Sequence, residues 1–247
     1  MVSQNTLNNT VQDNDFSVNR ALAGTAVVST IAHSDNTNTA SDARVRLEVG
    51  GTSAGSAMVI FSVPSTTQWT MGLDNGQADR FRIAQSDGEL DTNTYLDITV
   101  AGEVTQPLQP SFIATHSGAQ INVTGNGTAV TVTFATEVAD RNGDFDGTST
   151  FTSPVTGLYS FNSSLLASDT AAASHGQASL VTSNRTYFGA IYVGTVSSLL
   201  SADVHMLADM DAADTSFVQM TVYGIGADTA DLGANVNQTY FAGQLQV

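Results

Sequence analysis

Residues 145–161 read FDGTSTFTSPVTGLYSF, and the fold turns on them. Phe151 comes just before Pro154, Gly157 follows, and Tyr159 and Phe161 then recur with a period of two. Proline fixes φ and removes a backbone donor, and glycine tolerates a sharp reversal, so Pro154 to Gly157 makes a tight corner. Past the corner, period-two aromatics line one face of a strand, which fits a core strand entering a sandwich.

Working outward, β-type segments recur between Gly, Asn and Asp turn residues, and helical periodicity is almost absent. Downstream strands are expected at 157–166, 177–181, 187–193, 197–207, 216–223 and 239–247. Upstream, ARVRLEV (43–49), AMVIFSV (57–63), QWTMG (68–72), RFRIA (80–84) and YLDITV (95–100) read as strands too. In RFRIA the alternation puts Phe81 and Ile83 on one face and both arginines on the other. Pro107 and Pro110 cannot lie within a central strand, so they mark a joint. The expected architecture is all-β: an N-terminal β-sandwich-like module over 21–108, then a C-terminal jelly roll over 109–247. Residues 1–20 are polar and Asn-rich, a tether that orders against a partner. There is no short fixed-period repeat, which argues against a solenoid.

Charge narrows the function. The 247 residues carry 23 acidic side chains against seven arginines and no lysine, a net charge of -16. Nucleic acid and anionic membrane surfaces both require a cationic footprint, so neither is an expected partner. No run approaches the ~18 apolar residues of a membrane span. The opening MVSQNTLNNTVQDNDF has neither a basic start nor an apolar core, so no signal peptide is expected. Cysteine is absent, so stability must come from packing or oligomerisation.

Two resemblances refine this. Residues 145–161, with Phe, Pro and then Gly-x-Tyr-x-Phe, resemble the signature of the complement globular-head family, a jelly roll shared with the tumour-necrosis-factor fold. Asp211-Ala212-Ala213-Asp214 before FVQMTV (217–222) is similar to that family's Gly-Asp turn and core strand, with Ala213 where the family has glycine. TYFAGQL (239–245) is similar to its closing strand. This resemblance covers roughly 109–247 and implies a homotrimer with the last strand near the threefold axis. The second resemblance spans 36–110, where WTMGLDNGQADRFRI (69–83) looks like a module of phage tail-fibre and virion proteins. It implies a virion location.

Candidate chemistry is sparse. Gly51-Thr52-Ser53-Ala54-Gly55 matches Gly-x-Ser-x-Gly, but strand-like residues flank it where a nucleophile elbow needs a strand-to-helix turn. No catalytic residue and no enzyme activity are expected, and no cofactor beyond the calcium considered next. Asp140, Asn142, Asp144 and Asp146 place oxygen ligands at alternate positions, as calcium loops do. The sixth position is Phe145 rather than Gly and the twelfth is Phe151 rather than Glu. The competing reading is an acidic connection with Phe145 tucked inward. Asp203, Asp209, Asp211 and Asp214 form a second acidic group, read as a turn at the top of a jelly roll. His33, His116, His175 and His205 lack metal-type spacing. A depolymerase would carry a long repetitive β-helix, for which this chain is too short. Glycan contacts without cleavage would come from Asn184, Tyr187, Tyr192 or Tyr240 on loops of the C-terminal knob.

Together these features lead to the expectation of a structural virion protein of a tailed phage. It is read as a trimeric tail fibre or tailspike subunit, its N-terminus held by other virion proteins and its knob facing the host surface. A trimeric capsid decoration or head-fibre protein is the alternative. A secreted sugar-binding module is disfavoured by the opening residues.

Overall fold

The computed structural model describes residues 42–193, 198–233 and 237–246, with side chains except at 190–193. The described chain is all-β, with one short 3-10 turn at Asn75–Gln77. Five strands come first: β1 (Ala57–Val63), β2 (Thr67–Asp74), β3 (Arg80–Ala84), β4 (Thr94–Ile98) and β5 (Val104–Thr105). Six follow as the chain passes the prolines: β6 (Ser111–Thr115), β7 (Gln120–Thr124), β8 (Ala129–Thr131), β9 (Thr136–Asp140), β10 (Phe151–Thr152) and β11 (Gly157–Ser168). The last six are β12 (His175–Thr182), β13 (Thr186–Val193), β14 (Leu199–Met210), β15 (Thr215–Tyr223), β16 (Ala230–Leu232) and β17 (Tyr240–Leu245).

Strands β1 to β5 form one antiparallel meander in chain order. The module expected to be sandwich-like has two layers, but only one of them is a sheet. Its second layer is loop: Asn75 donates to the carbonyls of Gly51 and Ala54 at 2.9 and 2.8 Å, and Thr70 Oγ1 donates to Ser86 O at 2.9 Å. Residues 43–49, read as a strand, have no regular structure and are exposed. Alternation alone does not make a strand, because backbone groups need a neighbour to pair with.

Two further sheets make the jelly roll. One runs β10-β15-β12-β13 with β8 also on β15; the other runs β7-β16-β11-β17-β6-β9 with β14 along the free side of β11. Neighbours distant in sequence, such as β6 beside β17, give the sandwich its crossovers. Between the sheets lies one apolar core, in which Phe151, Tyr159 and Phe161 meet Phe112, Phe134, Phe145 and Phe241. Tyr159 and Phe161 stand on the inner face of β11, as the period-two pattern requires. Phe145 stacks on Phe112 with ring centroids 5.0 Å apart, so it does tuck inward. Gly243 of β17 faces this cluster, where a Cβ would lie 2.6–2.7 Å from the rings of Phe112 and Phe161. A side chain there would displace both rings, and glycine lets them pack directly on the strand.

Candidate functional site

The sequence-predicted binding residues separate into two places. Asn184 and Arg185 sit in the β12–β13 turn, closed by the Thr182 N–H donating to Arg185 O at 2.9 Å. From there Tyr187 starts outward along β13. Facing them are the end of β14 and the turn into β15. Tyr187 donates its hydroxyl to Asp209 Oδ1 at 3.0 Å, and Arg185 reaches Asp209 Oδ2 at 2.9 Å. Asn184 Nδ2 donates to Asp209 O at 3.0 Å and to Asp214 Oδ2 at 2.8 Å. The Arg185 guanidinium also lies 5.9 Å from the centre of the Tyr187 ring.

This apex is polar, self-satisfied and open to solvent. The Tyr187 hydroxyl and the arginine hold the Asp209 carboxyl below the usual carboxylate range. Burial, and then the neighbouring Asp209 charge, push the Tyr187 phenol up. The arrangement presents an amide, a guanidinium and an aromatic ring in fixed positions, a surface suited to recognition. Arg185 went unremarked in the sequence reading. It is the only arginine after residue 141 in a lysine-free chain, and that isolation was the available signal.

Of the acidic group, Asp209, Asp211 and Asp214 are together, with the Asp211 N–H donating to Asp214 Oδ2 at 2.8 Å. Asp203 faces solvent six residues back along β14, roughly 20 Å from Asp209 at strand rise. Ala213 occupies the third position of the turn with φ +74°, the left-handed region that favours glycine.

The calcium candidates hold a loop together. Asp140 accepts from the amides of Gly143, Asp144 and Phe145 at 3.0–3.2 Å, and Asp146 Oδ1 accepts from Thr148, Ser149 and Thr150 at 2.8–3.0 Å. Asn142 turns its amide to Leu108 O at 2.9 Å. Asp144 Oδ2 is buried without a hydrogen bond, and burial pushes that carboxyl up, with Asp140 adding to the rise. Among the described residues no three His, Asp or Glu side chains converge to hold a metal. Ser53 lies in a turn closed by Ala54 N–H to Gly51 O at 2.9 Å, with β1 and not a helix after it. The strand-to-helix geometry of a nucleophile elbow is therefore not met.

Tyr240 stands apart, on the solvent face of the larger jelly-roll sheet; the side chain of Tyr192 lies outside the described residues. Across that face, Ser160, Asn162 and Ser164 of β11 stand opposite Gln244, Ala242 and Tyr240 of β17. These in turn stand opposite Ser111, Ile113 and Thr115 of β6. No charged side chain occurs among these nine positions, while Asp203 and Asp209 flank them on β14.

Among solved structures, the chain is similar to the globular domain of zebrafish complement 1qA protein, at 16% identity and a TM-score of 0.40. That match covers 56% of this chain and 98% of the other. It is likewise similar to murine APRIL (12% identity, TM-score 0.41, 56% of this chain and 99% of that one). A third is the Eiger TNF of S. frugiperda (8% identity, TM-score 0.38, 56% and 93%). The likeness is one of fold alone. No family model matches the chain, and no curated protein does.

Proposed function

We propose that this chain is a trimeric structural subunit of a tailed-phage particle, a tail fibre or tailspike. In this reading residues 109–247 are the knob that contacts the host surface, 21–108 a stalk or shoulder, and 1–20 the attachment to other virion proteins. The observation that carries it is the uncharged sheet face of β11, β17 and β6. Copies of a chain carrying -16 repel one another across most pairs of surfaces. Small and amide side chains on this face let strands of neighbouring copies approach without bringing like charges together. A closed symmetric assembly buries such a face, and the resemblance of 145–161 to the complement globular-head family selects the trimer among them. The phage setting is supported by the resemblance carried by WTMGLDNGQADRFRI (69–83). With the sheet face turned inward, the Asn184, Arg185 and Tyr187 apex is the surface for a host glycan.

Sedimentation of the full chain tests the assembly: a trimer is expected, and a monomer ends the proposal. Ala242→Arg, which puts a cation from each copy into the contact, should convert the trimer to monomers with the core intact. Electron microscopy of virions labelled with an antibody against 109–247 tests the location. Label on the tail fits host attachment; label over the head makes the chain a capsid decoration protein.

A further inference from the structure

The N-terminal sheet covers its polar face more fully than its apolar one. Residues directly opposite across an antiparallel pair share a face, so register sorts the side chains. One face carries the ladder Val59–Met71–Ile83–Leu96 and, beside it, Leu73–Phe81–Ile98–Val104, with Phe61 opposite Trp69. The other carries Thr70, Gly72 and Asp74 of β2, Arg82 and Ala84 of β3, and Asp97 of β4. These six are buried, under loops 51–56 and 85–93, while Met58, Ile60 and Arg80 on the same face keep contact with solvent. Arg82 bridges Asp74 at 2.8 Å and Asp97 at 3.1 Å there, and Arg80 reaches Asp97 at 2.8 Å. Every side chain of the apolar face keeps contact with solvent, and Phe61, Leu73 and Val104 are 56%, 48% and 60% exposed.

We infer that this apolar face is covered by the same face of other copies of the chain. The inference rests on the trimer proposed above and names what a second part of the chain does in it. Charge favours a like partner, because neither ladder contains a charged residue although the chain carries -16. Area sets the order of events. Five strands at ~4.8 Å spacing and ~17 Å length give roughly 400 Å² of flat face. That lies within the ~300–600 Å² of the largest apolar patch on a typical monomer, a patch that is often functional, and below the ~800 Å² per partner of a free-standing interface. The sheets therefore associate only when the jelly rolls already hold the copies together. The link from β5 to β6 is Gln106 to Pro110, so a jelly-roll trimer delivers three sheets at high effective concentration.

Because the chain has no cysteine, a single introduced thiol reports on one position. Leu73→Cys lies on the apolar face and Thr148→Cys on an exposed jelly-roll loop. Both are made in the full chain, checked by sedimentation, and treated with a monofunctional maleimide or a short bismaleimide. In the trimer, the Leu73→Cys thiol should react at least about tenfold more slowly than the Thr148→Cys thiol, as buried sites do. It alone should give a cross-linked pair of chains on a denaturing gel. A trimer in which both thiols react equally fast and neither cross-links overturns the inference and leaves the trimer standing. A slow thiol that does not cross-link also overturns it, since something other than a second copy, such as residues 1–41, then covers the face. A monomer removes the trimer and this inference together.

Discussion

The jelly roll and the N-terminal sheet handle the same β geometry in opposite ways. In the jelly roll, Tyr159, Phe161 and Phe241 point into a core shared by two sheets, and the outer face is small and amide-rich. In the N-terminal sheet an arginine flanked by two aspartates points into the covered layer, and Met71, Phe81 and Ile83 point out. Period-two patterning tells which residues share a face, but not which face is covered. Which face is covered depends on what else is present. A second sheet covers the apolar face in one case, and only loops lie across the polar face in the other.

The two regions can be followed separately, because Trp69, the only tryptophan, belongs to β2. The largest effect should come from the shared core. Phe161→Ala, which empties a site ringed by Phe151, Tyr159 and Phe241, should cost the jelly roll about 3–5 kcal/mol in denaturant unfolding read by circular dichroism. Next is Arg82→Met, which leaves Asp74 buried without its cation and Asp97 with Arg80 alone. It should cost about 3 kcal/mol, read in Trp69 fluorescence, with the jelly-roll transition unmoved. An equal loss in both transitions would show that the regions unfold as one unit and break the comparison.

Acid should sharpen it. Burial opposes ionisation of Asp97, but hydrogen bonds from Arg82 and Arg80 outweigh it and hold the carboxyl below 3.8. Its contribution is therefore complete above that value and is lost as pH falls through the lower folded one. The Trp69 signal should report a weaker sheet in strong acid. Asp144 has the opposite sign: its carboxyl is raised, so it weakens the jelly roll at neutral pH and ceases to do so as acid protonates it. Asp144→Asn should stabilise the jelly roll by about 0.5 kcal/mol at neutral pH, given its partial exposure to solvent. That gain should vanish on acidification.

An effect of similar small size is expected at the β14–β15 turn. Ala213 holds φ +74° where a glycine has no Cβ penalty, so Ala213→Gly should stabilise the jelly roll by about 0.5–1 kcal/mol. A loss instead would mean that the entropy of the added glycine outweighs the relieved strain.

Much of this was legible in the sequence. Strands 57–63 and 80–84 were read with their observed bounds, because uninterrupted apolar or alternating runs end there at Pro64 and at polar turns. The strands between 111 and 140 were missed, being three to five residues long and stabilised by partners as far away as β16 and β17. Residues 43–49 were over-read for the complementary reason: the pattern was there and the pairing was not. At the apex, Asn184 and Tyr187 were named, but their shared dependence on Asp209 comes from β14 crossing beside β13. No local pattern records that crossing.

The meander order of β1 to β5 also has a consequence in time. Each strand pairs with the next in sequence, so this sheet closes short loops and forms early. The jelly roll cannot follow until β17 has left the ribosome, which at ~5–20 residues per second comes roughly seven to thirty seconds after β5. Through that interval every nascent chain carries Phe61, Met71 and Phe81 on a face that no jelly-roll trimer has yet brought to a second copy. A face this small does not pair on its own, so the exposure ends only when β17 has emerged and the joined jelly rolls bring a matching face to it.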